Sequence, residues 1–320
     1  MTNAPHPSVP VPSQSAGKAQ WLKALPLVAA LALVGFVVSR LDLTAFVAQL
    51  TRLNCPLYLG FAAAFVGALL LADAFATTLI YRRTVAPVPL GEMLALRGAS
   101  YLPSIVNHHL GQAFITYFLS RAYGVTLWRT AGATMLIYIS WMAWLVAIMS
   151  SAIVALEQPK WWLVAPLGAV LGYLTLLKWR PTFLSKRALF APLFDAGFRG
   201  HALAVAVRFP HFVVLFLGNW ISFSFFAVRI PWSQALAPIS ILMVAGTLPI
   251  TPQGIGTRDV LAALFFERFA PGNSSPQRLA AIAAATGSFV IACTLIDAII
   301  GFAMMYWAMP VLRRRIPTQS

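Results

Sequence analysis

Long apolar runs, each ended by a few polar residues, set the pattern of this chain. Continuous runs at 24–39, 56–80, 131–155, 161–177, 208–228 and 281–309 approach or exceed the ~20 residues with which a helix crosses a bilayer. A lipid-facing barrel would alternate apolar and polar positions in segments of about 10 residues, and these runs do not alternate. Lipid offers the backbone no hydrogen-bond partner, so continuous runs of this kind predict helices. Two other segments, 92–118 and 234–268, read differently. Each holds an apolar helix, a polar or Gly/Pro break and a second apolar helix. They predict helical hairpins that enter the bilayer and turn back, which needs protein or a wet cavity to cover the broken backbone. The expected fold class is all-α: a polytopic transmembrane helical bundle of about six full spans plus two re-entrant helical hairpins.

Composition agrees with this pattern. Hydrophobic residues make up 60% of the 320 positions and charged residues only 10%, against about 25% charged in soluble domains. The formal net charge of +15 raises nucleic acid as a partner, but no basic soluble domain is left to hold one, so no nucleic acid is expected. The cations lie between and beside the apolar runs, where they set topology and face anionic lipid headgroups. Residues 1–20, rich in Pro, Ser and Ala, read as a disordered lead-in. Lys18 and Lys23 precede a run that resembles a retained signal anchor. The membrane domain is expected over 21–315, with a short tail at 316–320.

With the N-terminus inside and both hairpins returning to their own side, most of the 23 Lys and Arg fall on the inner face. That set includes Arg82, Arg83, Arg97, Arg121, Arg129, Arg208 and the cation-rich loop 178–208, which is read as a surface helix. The expected location is the inner (plasma) membrane, multi-pass, with both termini cytoplasmic. In this arrangement the hairpins enter from opposite sides. Their breaks are weakly alike, Leu102-Pro103 then Gly111 against Leu248-Pro249 then Gly256. Paired interrupted segments point to an inverted-repeat transport site.

Chemistry concentrates at the breaks. In TLPITPQGIGTRDVLAALFF, Pro249 and Pro252 disfavour helix before them, and Gly254 and Gly256 allow tight turns. Thr257 then caps a helix through Leu264 and Phe266. Arg258, with its planar donor fork, stands at that helix start and suits a phosphate. Asp259 either positions Arg258 or forms with it a structural anchor. In the first hairpin, Asn107, His108, His109 and Gln112 form a polar cluster suited to hydrogen-bonding a headgroup or packing at an interface. Adjacent histidines diverge on a helix and make a poor metal pair. Arg121 faces anionic lipid or marks the inner end of its helix. Asp73 and Asp297 lie within predicted spans, where a carboxylate either pairs or relays protons. Asn219 reads as glue between helices. The two cysteines form no metal spacing, and no Walker loop, Rossmann fingerprint, zincin motif or Gly-x-Ser-x-Gly elbow is present. No cofactor and no metal are expected.

From Leu248 to Asp259 the chain resembles the transmembrane region of lysylphosphatidylglycerol synthases, the flippase-like membrane proteins. That family has a Pro-x-x-Pro-Gly-Gly-x-Gly-x-x-Glu stretch at this place; Gln253 stands for one glycine and Asp259 for the glutamate. The first hairpin also departs, reading Asn-His-His-Leu-Gly-Gln from Asn107 to Gln112. An Arg-x-x-Asp pair usual in the following span is missing from YISWMAWL. The resemblance implies translocation or presentation of an envelope lipid, with membrane lipids as partners, either anionic phospholipid or a hopanoid-like lipid. It leaves open a supporting role beside a lipid-modifying enzyme or glycosyltransferase. Transport of a small solute is a further alternative. Aminoacyl transfer needs a soluble domain that this sequence does not contain, so a non-enzymatic protein is expected.

Overall fold

The computed structural model describes residues 42–155, 157–247 and 256–314. The expected span at 24–39, the lead-in, the tail beyond 314 and the residues Pro249, Pro252 and Gly254 lie outside the described residues.

The chain runs through α1 (Leu43–Thr51), α2 (Cys55–Thr84), α3 (Leu90–Ala99), α4 (Tyr101–Val106), α5 (His108–Tyr123) and α6 (Leu127–Ala155). It continues through α7 (Val164–Trp179), α8 (Ala191–Ser224), α9 (Trp232–Thr247), α10 (Thr257–Phe266) and α11 (Ser275–Arg313). Five of the six expected spans fall within the described residues, and each corresponds to a helix long and apolar enough to cross a membrane: α2, α6, α7 with its 3-10 entry, α8 and α11.

Local chemistry sets the helix ends. Asn54 accepts the Leu57 N–H ahead of α2 at 3.2 Å, and Pro56 follows inside the first turn, where its missing N–H costs nothing. Asn107 accepts the His109 N–H at 2.8 Å and starts α5, which ends on Gly124 at φ 64. The first hairpin is therefore a broken helix whose second arm has a side-chain cap and a left-handed stop. The segment expected as a surface helix over 178–208 is corrected in part. Residues 191–224 form a single helical element interrupted at Gly197 (φ 55, ψ −170), so the surface part feeds directly into the span.

Two apolar cores stack along the bundle. One holds Leu70, Trp141, Phe212, Phe216, Ile239, Phe266 and Phe289. The other holds Ala74, Leu96, Ile115, Leu119, Ile137, Ala204 and Val311. On α2 the change from one core to the other falls between Leu70 and Ala74, on α6 between Ile137 and Trp141, and on α8 between Ala204 and Phe212. Asp73, Tyr138 and Arg208 occupy these junctions. A polar layer thus lies between two apolar layers, near the middle of three long helices. Close approach of the helices depends on missing side chains: Gly218 of α8 lies against the Phe65 ring of α2, and Gly98 of α3 lies against Met304 of α11.

Candidate functional site

Asp73 is 1% exposed. A lone carboxylate at that depth would be costly, and a partner cation is the usual remedy. Two are present. Arg97 from α3 pairs with one carboxylate oxygen and Arg208 from α8 with the other. Thr77, one turn along α2, donates to Asp73 at 3.4 Å, and His211 Nε2 stands 4.0 Å from the same oxygen. This knot joins α2, α3 and α8 across the polar layer.

Arg97 and Arg208 are 7% and 4% exposed. The expectation that they mark the inner membrane face is overturned: they are buried counter-charges to a mid-helix acid and carry no information on topology.

Beside the knot is a cavity of about 230 Å³. Arg97, Arg208 and Arg258 line it, from α3, α8 and α10, together with Tyr138 and Trp141 from α6. Its wall is rich in donors left over. Arg97 Nη1, Arg208 Nε, Arg258 Nε, Trp141 Nε1, Tyr138 Oη and His211 Nδ1 are all buried without a hydrogen-bond partner among the described residues. Buried polar groups are nearly always satisfied, so six unsatisfied groups on one wall need a reason. A ligand rich in acceptor oxygens supplies one. Three guanidinium groups against two carboxylates, Asp73 and Asp297, leave the wall net positive, which selects an anion. Asp297, also on the wall, has no hydrogen bond or ion pair among the described residues.

The residues singled out in sequence distribute as follows. Arg258, His108, Gln112 and Asp297 meet at the cavity. Asn107 serves as the cap of α5. His109 is exposed and its ring lies 6.4 Å from that of Tyr138. Arg121 sits in the last turn of α5, away from the cavity. Gly256, at φ 83, is the N-cap of α10, and Thr257 is its first helical residue; this corrects the expectation that Thr257 caps the helix. Asp259 accepts the Gly256 N–H at 3.0 Å and so closes the helix start. Arg258 is instead held by Asn219, whose Oδ1 accepts from Nη2 at 2.6 Å. Asn219 is thus more than helix glue: it aims an arginine into the cavity, while its own Nδ2 donates to the Leu215 carbonyl at 2.8 Å.

The sequence reading missed Arg97, Arg208, His211, Tyr138 and Trp141 as site residues. One signal pointed to the first two. An acid in mid-span requires cations, and Arg97 and Arg208 adjoin or enter apolar runs, with His211 one turn beyond Arg208.

A family model described as the lysylphosphatidylglycerol synthase TM region matches residues 23–296. The chain belongs to the lysylphosphatidylglycerol synthase transmembrane-region family. The match takes in every cavity-lining residue except Asp297, one position beyond its end. No curated protein and no solved structure matches the chain. This member of the lysylphosphatidylglycerol synthase transmembrane-region family is an integral, multi-pass membrane protein of a lipid-related family.

Proposed function

We propose that the protein binds the headgroup of an anionic lipid in the central cavity and translocates or presents that lipid across the membrane, without catalysing a reaction. The observation that carries this reading is the convergence of Arg97, Arg208 and Arg258, from three helices, on a wall of buried donors that lack partners among the described residues. A phosphate offers several acceptor oxygens and a negative charge, and a guanidinium engages it through two parallel N–H groups. The position of the cavity in the polar layer, flanked by both broken segments, fits alternating exposure of a site at mid-depth. Asp73 is occupied by two arginines, so Asp297 is the carboxylate left for proton coupling. The protein resides in the inner membrane with both termini in the cytoplasm in this account, and its lipid is a phospholipid of the cell envelope.

Reconstitution with fluorescent phosphatidylglycerol tests the reading. Arg258→Ala removes a charge-assisted contact of about 1.5–3 kcal/mol, and lipid movement falls by roughly tenfold or more. Arg258 lies outside the Asp73 knot, so the variant keeps its fold. Unchanged movement would sink the headgroup role.

A further inference from the structure

A second cavity of about 130 Å³ adjoins the first. The two share one wall: Leu69, Leu215, Asn219, Arg258 and Asp297 line both. Past that wall the character changes. Phe65 of α2 and Phe289, Val290, Cys293 and Thr294 of α11 enclose the second cavity. Phe289 and Cys293, and Val290 and Thr294, are each four apart and so share one helix face. The ring of Phe289 lies 5.2 Å from that of Phe65, across the α2–α11 seam. Immediately beside these residues the helix turns to the outside: Ile291 is 63% and Leu295 59% exposed, and on α2 Leu71 is 61% exposed. In a membrane-spanning bundle such surfaces meet hydrocarbon. The second cavity therefore lies between the donor-rich chamber, with which it shares a wall, and the lipid-facing surface one helical turn away.

We propose that this second cavity is an acyl-chain subsite, through which the hydrocarbon of the bound lipid leaves between α2 and α11 while its phosphate stays at Arg258. The proposal rests on the headgroup reading above and adds which gap the lipid uses and why a lipid fits better than a free phosphate ester. A volume near 130 Å³ takes about four groups the size of a water molecule. It holds the first methylenes of a chain, and the rest continue into the bilayer. Arg258 and Asn219 stand at the border, where polar headgroup and apolar tail of one amphiphile meet. A small water-soluble phosphate ester would leave the apolar arm empty and gain nothing from it. A few buried methylenes favour the lipid by about tenfold or more.

The test uses the full chain in phosphatidylcholine nanodiscs with phosphatidylglycerol that carries a diazirine on its acyl chain. Photoadducts are mapped by peptide mass spectrometry. Adducts are expected on Phe65 and on 289–294, lost with excess unlabelled phosphatidylglycerol and retained with the same concentration of glycerol 1-phosphate. Val290→Trp fills the arm, and its adducts and lipid retention are expected to fall while Arg258 remains in place. Adducts confined to Leu71, Ile291 and Leu295 and insensitive to competitor would overturn the proposal. So would competition by glycerol 1-phosphate equal to that by the lipid. Lipid retention measured on the same samples separates the two failures. Retained phosphatidylglycerol without arm adducts overturns the subsite and leaves the headgroup reading standing; no retention and no adducts overturns both.

Discussion

At the scale of residues, Asp73 is where charge and fold meet. Its carboxylate neutralises half of a pair of buried arginines, and those arginines hold it at a depth where it would otherwise be intolerable. Removing one partner of a buried ion pair costs about 3–5 kcal/mol, because the charge left behind is unpaired. Asp73→Asn is therefore expected to lower the thermal unfolding temperature in detergent markedly. Adding Arg208→Met, which removes the excess charge, should recover part of the loss. An Asp73→Asn protein as stable as wild type would show that the knot contributes no stability. Arg258 behaves differently: its hydrogen-bond partner among the described residues is the neutral Asn219, so its removal affects ligand more than fold. The sequence made Arg258 conspicuous, since it follows a Pro/Gly break. Arg97 and Arg208 were hidden, because a cation near the end of an apolar run looks the same whether it faces water or a buried acid.

At the scale of elements, the helix runs, the first break and the helix start after Gly256 were legible, because hydrophobic periodicity and Pro/Gly act locally. The pairing of helices was not, since it depends on contacts between distant positions. Gly218 illustrates this. Nothing local marks it, yet the Phe65 ring occupies the space its side chain would take. Gly218→Val should destabilise the bundle by about 1–3 kcal/mol, with partial recovery in Gly218→Val/Phe65→Leu, read by thermal unfolding. A second element-level contact lies at the end of α11. Arg314 donates to Glu92 at 2.9 Å and Tyr123 donates to it at 2.7 Å, tying the end of α11 to the start of α3 and the end of α5. Burial works against the charged carboxyl, but the hydrogen bonds from Arg314 and Tyr123 outweigh it and hold Glu92 below the usual carboxylate range. Because the folded value is the lower one, this contribution is fully present above the unfolded pKa, about 4.3, and is lost as pH falls through the folded value. The contact is partly exposed, so its worth is at most about 1 kcal/mol. Glu92→Gln should reduce amide protection in the last turn of α11 at neutral pH. The gap from wild type should close as pH falls from the unfolded value through the lower folded one. A gap independent of pH would assign the effect to packing.

At the scale of the whole molecule, a polar layer between two apolar cores is the organising feature. The donors without a partner among the described residues line one chamber, and the lysylphosphatidylglycerol synthase transmembrane-region family to which the chain belongs is lipid-related. The class of the molecule was readable from composition and run length alone. The chamber was not, because its walls come from α2, α3, α4, α5, α6, α8, α9, α10 and α11, and its charge balance emerges only when they pack. The central claim is that this chamber prefers an anionic lipid through Arg258. The most direct measurement is native mass spectrometry of the protein released from nanodiscs holding equal parts of phosphatidylglycerol and phosphatidylethanolamine. Wild type should retain phosphatidylglycerol in preference, and Arg258→Ala should lose that preference. Equal retention of both lipids by wild type, or a preference untouched by Arg258→Ala, would contradict the account.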